Sequence, residues 1–174
     1  DLMLMRLHQR QIEHQCHAAL LALNIGQQGL DQNDQNVFWA SIQGFLTAAA
    51  NISKTLWGAG GRLSEQRAEL RASLGVDDES PLASTDLRNH LEHFDERLDR
   101  WHAQSERHNF ADFVIGPKQS TIVGMEETDM FRQFDPSSGQ IIFWGERHDL
   151  LPIRDAIQTL LPIAAAEAAK PHWE

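Results

Sequence analysis

Cysteine is nearly absent from this chain, because only Cys16 among its 174 residues carries a thiol. A single cysteine excludes an internal disulfide and a zinc site built from several cysteines. Cys16 lies among Ala18, Ala19 and Leu20 on an amphipathic segment, so we interpret it as a buried small hydrophobic residue rather than a nucleophile. This cysteine usage is typical of a reducing compartment, and we expect a cytoplasmic protein.

Long apolar runs are also missing. No stretch reaches the roughly 18 apolar residues that are needed to span a bilayer. The N-terminus has no basic segment followed by an apolar one, which is the pattern of a secretory signal. The sequence therefore predicts a protein without a membrane partner.

Basic residues are scarce relative to acidic ones. The chain has 15 Lys and Arg against 25 Asp and Glu, which gives a formal charge of −10. Broad electrostatic binding to nucleic acid depends on neutralising phosphates with Lys and Arg. Any RNA site must therefore be local, and the acidic balance favours a protein partner over RNA.

Several catalytic motifs are absent. The chain has no Glu-x-x-His, no His-Glu-x-x-His and no Gly-x-Ser-x-Gly, and no lysine follows Gly58, Gly60 and Gly61 at the spacing of a phosphate loop. We expect no cofactor and no metal. Nine histidines still leave open a three-histidine metal site assembled from several helices, for example from His14, His90 and His148.

The chain is long enough for one domain with a real core, and we expect a single domain over residues 1–174 with 41% hydrophobic content. Its apolar residues recur mostly at helical spacing, so the fold class is mainly α, an up-down helical bundle of four to five helices. The predicted helices cover residues 2–28, 37–57, 63–74, 87–101 and 149–168. Gly26 and Gly29 are expected to loosen the end of the first of them.

The pattern of apolar residues changes after Asn109. Short runs of β-branched and aromatic residues occupy 113–115, 121–123, 130–134 and 141–144, and the segment 135–139 between the last two is a good hairpin turn. These runs predict a small antiparallel hairpin or sheet of two to four strands, inserted at about 113–145 between the last two long helices.

The helix predicted over 87–101 has two distinct faces. Its apolar residues recur at steps of four and three and form one buried stripe: Leu87, Leu91, Phe94, Leu98 and Trp101. The opposite face carries Asn89, His93, Glu96 and Arg100, with Arg88 and Glu92 beside them. In isolation this polar face is explained by a solvated surface with charge pairs such as Glu96 with Arg100. The order Arg88, Asn89, three residues, His93 gives it a second interpretation.

The run from Arg88 to His93 reads Arg-Asn-x-x-x-His on a helix of an otherwise helical chain. It resembles the signature of the HEPN superfamily, helical domains that include many metal-independent ribonucleases of toxin and RNA-processing systems. The resemblance implies catalytic roles for Arg88, Asn89 and His93. The imidazole of His93 titrates near neutral pH and suits proton transfer, and the planar guanidinium of Arg88 suits stabilisation of a phosphorane. Asn89 is placed to orient the imidazole or the phosphate. Glu92 and Glu96 are candidate orienting partners.

The implied reaction is attack of a ribose 2′-hydroxyl on the neighbouring phosphorus, which leaves a 2′,3′-cyclic phosphate and a 5′-hydroxyl. Arg88 and His93 are five residues apart and point roughly 140° from one another on a helix. The family brings these groups together in a composite cleft between paired motif helices, so the resemblance also implies a homodimer.

A second hypothesis belongs to another class. Members of such a superfamily include noncatalytic domains, and an HEPN-like bundle can act as a binding or regulatory module for a protein partner, as an antitoxin would be. On this interpretation Asn89, His93 and Glu96 brace the helix. The tryptophans at 39, 57, 101 and 144 could stack on bases, although their apolar rows favour core packing.

Overall fold

The computed structural model describes residues 1–84, 89, 93–116, 125–171 and 173. Across these residues the chain is mainly helical, with a small sheet between long helices, and this confirms the predicted fold class. Within the described ranges no helix is both long enough and apolar enough to cross a bilayer.

The chain divides into two compact units. The first comprises Asp1–Thr85 and Pro152–Glu174, and the second comprises Asp86–Leu151. The expectation of one domain over residues 1–174 stays a prediction.

The first unit is built on a pair of long helices, α1 (Leu2–Asp31) and α2 (Gln35–Trp57). The Asp1 carboxylate accepts from the amides that open α1, and the Asp34 carboxylate accepts from Val37 N at the start of α2. Carboxylates suit these positions because the first amides of a helix have no partner within it. Gly58 ends α2 with a φ of 64°, as the sequence predicts.

Glycine has a different role in α1 from the predicted one. Gly26 and Gly29 lie inside the helix and are buried, so the expectation that they loosen its end is wrong. A Cβ on Gly29 would lie 2.8 Å from the backbone nitrogen of Phe38, and one on Gly26 would lie 3.3 Å from Ser41 Cβ. These glycines let α1 and α2 approach closely near the turn that joins them.

The rest of the first unit consists of shorter helices and the C-terminal helix. The helix predicted over 63–74 is in fact two, α3 (Arg62–Gln66) and α4 (Ala68–Ser73), which meet at Arg67. Ser80 caps a 3-10 turn over Pro81–Ala83. The C-terminal helix α6 covers Leu151–Ala168 and contains Pro162.

The second unit combines a helix, α5 (Phe94–Gln104), with a four-stranded sheet. The strands are β1 (Val114–Ile115), β2 (Arg132–Asp135), β3 (Gln140–Phe143) and β4 (Glu146–Asp149), in that spatial order. Of the motif helix predicted over 87–101, the part from Phe94 onward is confirmed as α5 and Asn89 is helical, whereas His93 is the N-cap residue of α5, with a φ of −107° and a ψ of 34°. The other residues of that prediction before His93 lie outside the described part of the chain.

The sheet is antiparallel over β2, β3 and β4, as predicted, whereas β1 pairs with β2 in parallel. Strand β4 was not predicted, because the residues of this strand, Glu-Arg-His-Asp, have none of the β-branched or aromatic character that is typical of strands. The predicted strand over 121–123 lies outside the described residues.

The close approach at Gly29 gives a test of the α1 and α2 pairing. Because an added Cβ would also lie 3.1 Å from Asp34 O, we expect Gly29→Ala to lower the free energy of unfolding by about 1–3 kcal/mol. Urea denaturation followed by circular dichroism measures this change. A Cβ on Gly44 of α2 would lie 3.6 Å from Ala22 Cβ, an ordinary contact. Gly44→Ala is therefore the control, with a gain of about 0.5–1 kcal/mol. Equal effects of the two substitutions would contradict this account.

Candidate functional site

Aromatic side chains attach α5 to the sheet. The Phe94 ring lies 5.4 Å from that of Phe131 and 6.3 Å from that of Phe143, and the Trp101 ring lies 6.0 Å from that of Phe131. Phe131 and Phe143 are fully buried. Phe94 and Trp101 belong to the apolar stripe that the sequence predicts, whereas Leu87 and Leu91 of that stripe lie outside the described residues.

A buried carboxylate holds the same helix from its other end. Asp129 is 1% exposed, and its Oδ1 accepts from Trp101 Nε1 and from Ser105 Oγ, both at 3.0 Å. Its Oδ2 accepts from Glu126 N at 3.1 Å. Burial raises the pKa of Asp129, but the hydrogen bonds from Trp101, Glu126 and Ser105 outweigh it, so the pKa lies below its usual value. The charged carboxylate therefore fixes α5 against the segment that leads into β2.

The three motif residues are only partly within the described structure. Arg88 lies outside it, so the convergence of Arg88 with His93 stays a prediction. Asn89 is helical and half-buried, and its carbonyl accepts from His93 N at 3.1 Å. Asn89 and His93 are thus one helical turn apart, as the motif requires.

His93 stands at the exposed start of α5. Its side chain is 55% exposed, and Nδ1 lies 3.3 Å from Oε1 of Glu96, which is 69% exposed. A carboxylate can only accept, so in a neutral imidazole this contact favours the tautomer with hydrogen on Nδ1 and a lone pair on Nε2. Of the two predicted orienting partners, Glu96 contacts His93, and Glu92 lies outside the described residues.

Two arginines continue this face of α5. Arg97 N donates to the His93 carbonyl at 3.1 Å, and Arg100 follows one turn later. Their Cζ atoms lie 5.6 Å and 5.8 Å from the centroid of the Trp144 ring. Arg97 was not among the candidate residues predicted from the sequence, although its position four residues after His93 was a signal that the two share a face.

Trp144 occupies an unusual turn. It and Gly145 form the two-residue loop between β3 and β4, with φ values of 47° and 83°. A two-residue hairpin with both φ values positive favours Asn-Gly or Asp-Gly, and a bulky residue there is strained. Core packing, which the sequence favours for Trp144, is therefore only part of its role, because the residue also forms this turn and contacts both arginines.

A metal site built from several histidines was the remaining alternative from the sequence. Among the residues that the structure describes, no three His, Cys, Asp or Glu side chains are grouped so that they could hold a metal ion. His90, one member of the suggested histidine set, lies outside that part of the chain. Cys16 is fully buried, as predicted, and burial together with the nearby Glu13 raises its pKa to about 12, which keeps the thiol protonated.

Comparisons with family models, with curated proteins and with solved structures give no match to this chain.

The Asp129 network predicts a pH-dependent stability. Because the folded pKa of Asp129 lies below the unfolded value of about 3.9, its contribution is present above that pH and is lost as the pH falls through the folded value. We expect Asp129→Asn to destabilise the fold by about 2–3 kcal/mol at pH 7, since its amide NH₂ would face the Glu126 N–H. Urea denaturation between pH 3 and 7 should show the difference from wild type shrinking below about pH 4.

The matched control for this measurement is Asp95→Asn, which changes an exposed carboxylate on α5. We expect it to change the free energy of unfolding by less than about 0.5 kcal/mol. An Asp129→Asn difference that is the same at pH 3 and pH 7 would show that the carboxylate charge has no part in the stabilisation.

Proposed function

We propose that this chain is a metal-independent endoribonuclease of the HEPN type, acting in the cytoplasm. The observation that carries the proposal is the His93 imidazole, which is exposed at the start of α5 with Nδ1 beside Glu96. This arrangement leaves Nε2 available as a proton acceptor at the position where the Arg-Asn-x-x-x-His motif requires a base. Asn89 lies one turn before it and supports the same assignment.

In the proposed reaction, Nε2 of His93 takes the proton of a ribose 2′-hydroxyl. The 2′-oxygen forms a bond to the adjacent phosphorus, and the bond from phosphorus to the 5′-oxygen breaks. The leaving 5′-oxygen then receives a proton from an imidazolium. Arg88 stabilises the charge of the phosphorane, because a guanidinium can donate to two of its oxygens at once. The products are a 2′,3′-cyclic phosphate and a 5′-hydroxyl.

The proposal includes a homodimer. If Arg88 and His93 share one helix, as the sequence predicts, their side chains diverge by roughly 140°, and a single copy then does not direct both at one phosphate. Two copies with paired motif helices would supply the base and the guanidinium from opposite sides. The imidazole of the second copy would be the acid that protonates the leaving oxygen.

The second candidate function is a noncatalytic binding module, and a groove in the first unit favours it. This groove has a volume of about 550 Å³ and is lined by apolar residues that include Leu74, Leu82 and Ile163. The carboxylates of Glu79 and Asp155 also line it. An apolar groove with acidic walls suits a positively charged segment of a protein partner.

Cleavage of RNA in the presence of a chelator tests the first function against the second. We expect the wild type to cut single-stranded RNA in EDTA, and Arg88→Ala or His93→Ala to lower the rate at least about 100-fold, because each removes a group that acts in the transition state. The cleavage products are resolved on gels, and labelling by polynucleotide kinase identifies the 5′-hydroxyl ends. Circular dichroism verifies that each variant is folded.

The matched control is His14→Ala, which removes an exposed histidine of α1. Its cleavage rate should equal that of the wild type. If wild type, Arg88→Ala and His93→Ala are all inert over a broad set of RNAs, the ribonuclease proposal fails and the binding module is the better account. Loss of activity in EDTA alone would point to a metal-dependent reaction instead.

The contact between His93 and Glu96 predicts a smaller effect of its own. Glu96→Gln removes the carboxylate that fixes the imidazole hydrogen on Nδ1, but the pair is well exposed. We expect kcat to fall roughly threefold to tenfold with KM unchanged, since the change affects the base rather than RNA binding. Steady-state cleavage of a labelled RNA measures both constants.

Glu106→Gln is the control, because it removes an exposed carboxylate beyond the end of α5. Glu96→Asp keeps a carboxylate on a side chain that is one methylene shorter, so this variant should retain only part of the wild-type kcat. A change in KM without a change in kcat would assign Glu96 to RNA binding and remove it from the orientation of His93.

A further inference from the structure

Two arginines of α5 have no carboxylate partner in the part of the chain that the structure describes. Arg6, Arg71, Arg132 and Arg154 are ion-paired, and Arg132 makes two hydrogen bonds to Asp112. Arg97 and Arg100 have none of these bonds, and their guanidinium groups contact the Trp144 ring. In a chain with a formal charge of −10, carboxylates are abundant. Within the described ranges, Arg97 and Arg100 differ from these four because both guanidinium groups contact one aromatic ring without an ion pair to a carboxylate.

Two buried donors in this cluster also lack an acceptor. Arg97 Nε and Trp144 Nε1 are both buried, and neither has a hydrogen-bond partner among the described residues. An unsatisfied buried N–H is unfavourable by about 1–3 kcal/mol, and such groups are uncommon in native structures. Both groups donate but are enclosed, so a ligand at the surface would contact the remaining guanidinium N–H groups rather than these two. Phosphate oxygens accept hydrogen bonds and neutralise guanidinium charge at the same time.

The backbone at Trp144 supplies an independent observation. A φ of 47° in the turn between β3 and β4 is strained for a tryptophan, and strain of this kind is found at functional sites. Asparagine would relieve it but would remove the ring that holds both guanidinium groups. The ring limits their freedom through cation-π contact, and their remaining N–H groups stay available to a ligand.

These cations lie on the same face of α5 as His93. At about 100° per residue, Arg97 and Arg100 fall within roughly 40° of His93, whereas Asp95 and Asp99 fall about 200° and 240° away. The acidic residues of α5 nearest in sequence therefore point elsewhere, apart from Glu96 beside His93. The result is a pair of guanidinium groups between the start of α5 and the Trp144 ring, while Glu127 and Glu146 lie beside the turn that carries this ring.

We propose that Arg97 and Arg100, held by Trp144, bind the backbone phosphate of single-stranded RNA next to the phosphate that is cleaved at His93. This inference rests on the proposed function for the identity of the ligand, and it names a subsite that the Arg-Asn-x-x-x-His motif does not include. A single strand fits, because the 2′-oxygen must reach a position in line with the leaving oxygen and a duplex holds it away from that position. Trp144 is a positioning residue, since it acts through the two arginines.

Binding is measured separately from cleavage. The probe is a 5′-fluorescein single-stranded RNA of ten nucleotides, titrated in EDTA with protein that carries His93→Ala, and the readout is fluorescence anisotropy. We expect Arg97→Gln with Arg100→Gln to weaken binding at least about tenfold, because each removes a charge-assisted hydrogen bond. The slope of log affinity against log salt should become less negative by about 1.4, since each lost contact to a single strand contributes about 0.7.

The matched control is Arg154→Gln on α6, which removes an exposed arginine that is paired with Asp155. Its affinity should equal that of the parent protein. Because Arg97 is half-buried, Arg100→Gln alone is also measured, and we expect about a threefold loss of affinity with an unchanged circular dichroism spectrum. Trp144→Asn should keep the turn and lose about as much affinity as the double variant.

The outcomes separate this inference from the proposed function. If the double variant and Arg100→Gln bind RNA as tightly as Arg154→Gln does, with an unchanged salt slope, the phosphate subsite is wrong even when the wild type cleaves RNA. If the wild type cleaves nothing but RNA binding still depends on Arg97, Arg100 and Trp144, the subsite stands and the ribonuclease proposal fails.

Discussion

The second unit depends on one buried charge. The Asp129 carboxylate is almost completely removed from water, and it stays ionised because Trp101, Ser105 and Glu126 N donate to it. Trp101 and Ser105 lie at the end of α5, and Glu126 lies before β2, so one group fixes the end of α5 to the segment before β2. The position of every polar residue along α5 follows from this contact and from the aromatic packing of Phe94.

The candidate site is formed by a polar face that the packing of α5 leaves exposed. Its apolar side lies on Phe131 and Phe143, and the flank beside that side carries the exposed His93 and Arg100 and the half-buried Arg97. Trp144 limits the freedom of the arginines, although it occupies a turn that favours asparagine. A net negative chain can still bind an anion at such a place, because electrostatic interaction at contact distance depends on nearby groups rather than on net charge.

Much of the fold could be predicted from periodicity, and the errors have physical causes. The bounds of α2 were close to the observed ones, because Asp34 and Gly58 are a strong N-cap and a strong helix end. Gly29 was misread, because a glycine that permits close helix packing has the same sequence signature as one that ends a helix. Strand β4 was missed, because its pairing with β3 stabilises a polar segment that has no strand character of its own.

By itself the sequence determined the helical class, the small sheet, the burial of Cys16 and the order Arg88, Asn89, His93, since each follows from residue type and local spacing. Only the tertiary structure decided that Asp129 is a buried, charged anchor and that Trp144 gathers Arg97 and Arg100 beside the His93 face. Trp101 and Asp129 are 28 positions apart in the chain, and Arg97 and Trp144 are 47 apart. Their partners are selected by packing across the sheet, which local spacing does not encode.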